Sequence, residues 1–199
     1  MNLKLEVGKF ELQKVKFNAK KGLVIDFFDV SSPNELFSVD SDGQPHEDYH
    51  NALKKLKEVL AYSLGFNLGW DFAREHNRKN EEQLKKAKQF WNDEIEKCDV
   101  TGLSLVGSGD KQGIKILGSL KTDLGVVGLT SPIVRFDDFI TNSIDEDVMI
   151  GDLAETAFME VQEEVWKFIF KAKRGGELFP VEEDEAPKSG LNITMQKVG

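Results

Sequence analysis

DVTGLSLVGSGDKQGIKILGSLKTDLGVVGLTSPIVRF, residues 99–136, decides the fold. Three apolar runs, each bounded by turn residues, read as three consecutive strands of an antiparallel sheet. In the first, Thr101, Leu103 and Leu105 point one way, and Val100, Ser104 and Val106 the other. Gly107, Ser108, Gly109 and Asp110 break the run, and Gly113 closes the loop. In the second, Ile114, Ile116 and Leu120 share a face opposite Lys115, Ser119 and Lys121. Alternation of this kind belongs to a half-buried strand, whose successive side chains leave opposite faces. Asp123, Leu124 and Gly125 make a tighter turn into the third strand, 126–136, where Pro132 lacks a ladder N–H and marks an edge, a bulge or the strand's effective end.

Upstream, Leu3, Leu5 and Val7 share one face, and Gly8 interrupts. Phe10 and Leu12 share a parity that Val15 and Phe17 reverse, which predicts a β-bulge near Gln13. Lys21-Gly22 forms a hairpin turn before a strand over 23–30, and a short strand over 36–39 follows. Tyr49, Leu53, Leu56, Leu60 and Leu64 recur at helical spacing, so a helix begins near His46 and stops at Gly65. Residues 66–80 give no clear pattern. Asn80 with Gln83 three positions on is a capping box, opening a polar helix to about Cys98 with Leu84, Ala87, Trp91 and Ile95 on its narrow apolar stripe. After an acidic loop over 137–152, Ala157, Phe158, Val161, Val165, Phe168 and Ile169 form the buried stripe of a helix over 153–174.

These elements predict an α+β fold: an antiparallel meander sheet with packed helices, in an order that fits two strands-then-helix units, plus a polar helical insertion over 68–98. Residues 1–179 form one domain, and 180–199, with Pro180, the acids 182–185 and Pro187, read as an acidic disordered tail.

Composition narrows the function. The 199 residues carry a net charge of −9, which argues against a general nucleic-acid coat but leaves room for a local basic face. Fourteen Phe against two Tyr suit a dry core better than a wet binding surface. The single cysteine, Cys98, cannot form an internal disulfide, and a reducing cytoplasm is its simplest setting. No apolar run is long enough for a membrane span.

No motif names a reaction, and none calls for a cofactor. His46-Glu47-Asp48-Tyr49-His50 matches H-E-x-x-H, in which two imidazoles one helical turn apart hold zinc while the Glu activates water. The alternative reading is therefore a zinc-dependent hydrolase with His46 and His50 as metal ligands. Against it stand the position in a first turn after Pro45, the charge of Asp48, and a third ligand that would have to come from Glu75 or His76. Lys14, Lys16, Lys20 and Lys21 make the N-terminal segment the one clearly basic stretch. They are candidates for nucleic-acid contact, although lysines also protect edge strands. Leu178 and Phe179, just after the last helix, are candidates for partner docking: Gln-Leu-x-Leu-Phe peptides bind the bacterial sliding clamp, and this chain keeps the final Leu-Phe.

Val100-Thr101-Gly102-Leu103-Ser104-Leu105, the later Gly-Ile-Lys-Ile-Leu-Gly-Ser-Leu, Ser131 to Asp138 and the helix 165–174 resemble a widespread family of phage and prophage proteins with no established activity. The resemblance covers about 99–180 well and the N-terminal half loosely, and it carries no catalytic residue. It implies a protein of the infected bacterial cytoplasm that travels with replication and recombination functions. Relatives often carry a fuller Leu-x-Leu-Phe after the last helix. The expected function is a non-enzymatic accessory of phage DNA metabolism, binding single-stranded nucleic acid or a protein such as the sliding clamp. Strand-strand-strand-helix units recur in single-strand-binding folds of the Whirly and PC4-like kinds. A further alternative is an inhibitor of a host factor whose acidic surface imitates DNA.

Overall fold

The computed structural model describes residues 7–76, 80–138, 149–171 and 194–198. Its elements run β1 (Phe10–Phe17), β2 (Leu23–Asp29), β3 (Ser32–Ser41), α1 (Glu47–Ser63), α2 (Leu68–His76), α3 (Glu81–Lys97), β4 (Cys98–Val106), β5 (Gly113–Thr122), β6 (Gly125–Thr130), β7 (Val134–Arg135), α4 (Ile150–Phe170) and β8 (Thr194–Val198). The strands form one antiparallel sheet in the order β6-β5-β4-β1-β2-β3-β8, with β7 beside β5. The fold is α+β, as the strand and helix periodicities predict.

Two meanders, β1-β2-β3 and β4-β5-β6, meet where β1 pairs β4, and each is followed by a long helix. Each inner strand carries a bulge. On β1 it falls between Leu12 and Lys14, at the predicted Gln13; on β4 it falls between Val100 and Gly102. Val15, two residues past the first bulge, lies directly opposite Leu103, two residues past the second. Lys14 opposite Ser104 and Lys16 opposite Gly102 complete a register that reads the same from either strand. The seam between the units is thus arranged about a local pseudo-two-fold through the Val15–Leu103 pair.

One face of the sheet is dry. Leu12, Val15, Leu23, Ile25, Phe27, Val39, Leu103, Ile114 and Ile116 are buried beneath Leu53, Leu56 and Leu60 of α1 and Ala157, Phe158, Val161 and Val165 of α4. A fully buried Leu such as Leu56 contributes ~1.5–3 kcal/mol by burial. Trp91 brings α3 into the same core. No helix among the described residues is long and apolar enough to cross a membrane.

Three readings need correction, and one stretch gains an assignment. The bulge at Thr101 turns Val100 to the dry face alongside Leu103, where simple alternation had put them on opposite faces. Val7 begins a 3₁₀ turn rather than ending a strand. Residues 68–76, placed in the helical insertion but without a pattern of their own, form α2, whose single buried residue is Ala73. Within the stretch read as a disordered tail, Thr194–Val198 is a strand on β3, satisfying the outer backbone groups of Leu36–Asp40.

Candidate nucleic-acid interface

No helix among the described residues covers the other face of the sheet, and the β1 bulge decides which side chains reach it. Val15 points into the core, so Lys14 and Lys16 point out on the helix-free face. Cross-strand pairing extends this into two rows. Ser38, Asp26, Lys14, Ser104 and Lys115 lie side by side across five strands. Asp40, Val24, Lys16, Gly102, Leu117 and Thr130 form the next row. Phe28 and Leu36, paired with each other, add half-buried apolar surface near one end.

This face carries both signs of charge, including Glu11 of β1 opposite Phe28 and Asp99 of β4 opposite Ser119. Asp26, which accepts a 2.6 Å hydrogen bond from Ser38 Oγ, and Asp40 lie on β2 and β3. Lys14, Lys16, Lys115 and Lys121 lie on β1 and β5, around the neutral Ser104 and Gly102 of β4. Among the described residues, none of these four lysines has a carboxylate within ion-pairing distance. A stripe of unpaired ammonium groups over neutral backbone can neutralise phosphates one by one.

The four lysines proposed from sequence do not form one site. Lys20 sits in the β1–β2 turn and donates to Asp42 at 2.9 Å, and this hydrogen bond with its charge raises the Lys20 pKa. Lys21, with a left-handed φ of 64°, lines a cleft of about 320 Å³ together with Phe17, Gln44, His50, Asp99 and Thr101. That cleft opens at the end of the β1–β4 seam, under the start of α1. Lys115, in contrast, was placed opposite Ile114 and Ile116 by its alternation, but only the register between distant strands brings it next to Lys14.

The histidines of the H-E-x-x-H match are engaged locally. His46 is the N-cap of α1: its Nδ1 accepts from the Asp48 N–H at 3.2 Å, an arrangement that satisfies one open donor of the first turn. His50 stacks on Phe17, ring centroids 5.4 Å apart, and burial followed by the nearby Lys54 pushes its pKa down. His76, on α2, stacks instead on Phe72 at 4.3 Å. Among the described residues no three His, Cys, Asp or Glu side chains converge on a point that could hold a metal. Cys98 starts β4 fully buried, and desolvation lifts its thiol to about 11, out of the nucleophilic range at neutral pH. Leu178 and Phe179 lie outside the described residues.

This frame defines the class of protein: an α+β sheet with one face sealed by helices and a lysine-bearing face that no described helix covers. No family model, curated protein or solved structure matches the chain.

Proposed function

We propose that the protein is a non-enzymatic binding protein that holds single-stranded nucleic acid across the open face of its sheet, in the setting of phage DNA metabolism that the sequence resemblance implies. The observation that carries this reading is the stripe of Lys14, Lys16, Lys115 and Lys121, none paired to a carboxylate among the described residues, in a chain whose net charge is −9. Opposed to that overall charge, such a stripe has to be local to act. Val24, Phe28, Leu36 and Leu117 supply apolar area beside it, on which unstacked bases can rest while phosphates meet the ammonium groups. A duplex, whose bases are already stacked inside, gains only the phosphate contacts.

Fluorescence anisotropy with a labelled single strand of ~20 nucleotides tests this at low salt. Neutralising about three phosphates gives a log–log salt slope near −2, at ~0.7 per contact on a single strand. Lys14→Glu/Lys16→Glu/Lys115→Glu abolishes binding, whereas Lys20→Glu/Lys21→Glu, which changes only the hairpin tip, leaves most of it. No binding by the full chain at about 20 mM salt, where phosphate contacts are strongest, overturns the reading. So does full binding by the triple variant.

A further inference from the structure

The two outer strands of the sheet are treated differently. On β3, Leu36–Asp40 is covered by β8 of the same chain. On β6, the inner edge pairs with β5 from Leu117 to Thr122 without a bulge, and no strand among the described residues lies along the outer edge. An unpaired edge is a template for another strand, and proteins ordinarily blunt one with charge, proline or a bulge. Gly125-Val126-Val127-Gly128-Leu129-Thr130 has none of these. Val126 is 68% exposed and Val127 54% exposed, and as neighbours on a strand they face opposite sides of the sheet.

We propose that β6 pairs antiparallel with β6 of a second copy of this chain, about a two-fold axis, so that the sheet runs on from one subunit to the next. The choice of occupant follows from charge. In an isologous contact every group meets its own kind or a neighbour from the same short segment, so a charged strand risks facing its own sign. In a chain with 31% charged residues and a net charge of −9, the outer strand β6 has no charge at all. The one strand seen to add to an edge in this chain, β8, is already in place at the far side of the sheet. In the dimer the valines on each face gain a cross-strand neighbour, and the open backbone N–H and C=O groups of β6 are satisfied. The open, lysine-bearing faces of the two subunits then become continuous, and the dimer offers a single strand a longer track. A contact of one six-residue strand is small beside a standard interface of ~1,600 Å². The dimer is therefore concentration-dependent, with a dissociation constant in the range of about 1–100 µM.

Sedimentation velocity of the full chain, from about 1 to 200 µM, reads this directly. The expected result is a shift from monomer to dimer across the range, absent in Val127→Lys and in Val126→Lys. Both positions are solvent-exposed, so each variant keeps its fold, checked by circular dichroism; if one does not, the other decides. Full-length protein that stays monomeric at about 200 µM overturns the proposal. A folded lysine variant that dimerises as the parent does overturns it too, since the contact then lies elsewhere.

Discussion

The first strands-then-helix unit and the second share a frame and differ in how they finish it. Tyr49, Ala52, Leu53, Leu56 and Leu60 bury one stripe of α1; Ala154, Ala157, Phe158, Val161 and Val165 bury the same stripe, at the same spacing, on α4. Leu23, Ile25 and Phe27 on β2 match Ile114, Ile116 and Gly118 on β5, all buried under the helices. With a bulge in each inner strand and a seam register that reads alike from both sides, the structure repeats itself where the sequence shows no residue-level repeat.

The differences fall at the two ends of the seam. Where β1 and β4 part near Leu12, Gln162 of α4 reaches in and its Oε1 accepts the Leu12 N–H at 3.0 Å. The matching helix position on α1, one residue past Leu56 as Gln162 is one past Val161, is Lys57. An ammonium group donates and cannot accept, so it cannot close the seam in the same way. Lys57 instead lines a cleft of about 60 Å³ with His50, Lys54, Asp99 and Val100, which adjoins the larger one containing Lys21. One side chain type thus separates a sealed seam end from an open one. The comparison teaches that the repeated frame sets stability, while the positions where repetition fails create surface.

The largest expected effect breaks the seam itself. Gly102 and Lys14 occupy equivalent stations, two residues beyond Val100 and Leu12, but only Lys14 has room for a side chain. A Cβ on Gly102 would stand 2.3 Å from the Val15 carbonyl oxygen and 2.7 Å from the Lys16 Cα, both backbone atoms that cannot swing aside. Gly102→Val should cost about 3 kcal/mol or more, at or beyond the upper end of overpacking penalties. Lys14→Val should change stability by only about 0.5 kcal/mol. Urea denaturation of both checks this, and equal losses would show that the two strands approach each other symmetrically. The next effect is smaller and concerns the seam ends. Gln162→Ala strands the Leu12 N–H and should cost about 1–2 kcal/mol. Lys57→Ala should stay within ~0.5 kcal/mol, because no comparable bond is lost. If Lys57→Ala costs as much as Gln162→Ala, the distinction between sealed and open ends is wrong.

Much of this frame was legible in the sequence, and particular residues show where legibility stopped. The parity switch between Leu12 and Val15 announced the bulge at Gln13, because apolar residues on both sides had to face one core. Asn80 and Gln83 announced the start of α3, whose cap accepts the Gln83 N–H at 3.2 Å. Ala157 to Phe168 announced α4, on whose outer side Lys167 pairs with Glu163, four positions earlier, at 2.8 Å. The bulge at Thr101 stayed hidden because Thr101, Leu103 and Leu105 alternate regularly, with Val100 and Val106 fitting the opposite face equally well. Helix α2 stayed hidden because Leu68 and Phe72, which a core stripe would bury, are 69% and 60% exposed. For the candidate interface, Lys14 and Lys16 were identified by local charge. Lys20 and Lys21 joined them only through nearness in sequence, and the hairpin turn carries them away. Lys115 depended on which strands become neighbours, a long-range pairing that no local pattern encodes.

The smallest expected effect concerns His50, whose station on α4 is held by the exposed Glu155. The imidazole stacks on Phe17 at the mouth of the open seam end, and burial holds its pKa below the ordinary 6.5. Desolvation disfavours the charged ring, so the unfolded chain takes up this proton more readily than the folded one. Between the folded and unfolded pKa values the unfolded state therefore binds more protons, and stability rises with pH. His50's contribution is complete above about pH 6.5 and is lost as pH falls through the unfolded pKa toward the folded one. Because the ring is largely exposed, solvent weakens the effect. It is best read as the difference between the parent and His50→Gln, which keeps a polar side chain but does not titrate. The stability of the parent relative to His50→Gln should grow slightly from about pH 5 to pH 7 and level off above, in chemical denaturation at each pH. A difference that shrinks over that range would mean that the charged ring is the favoured form, stabilised by Glu47 and Asp99 more than burial penalises it. The open end of the seam would then be a site that prefers a cation on its rim, rather than the neutral, stacked ring that the present geometry describes.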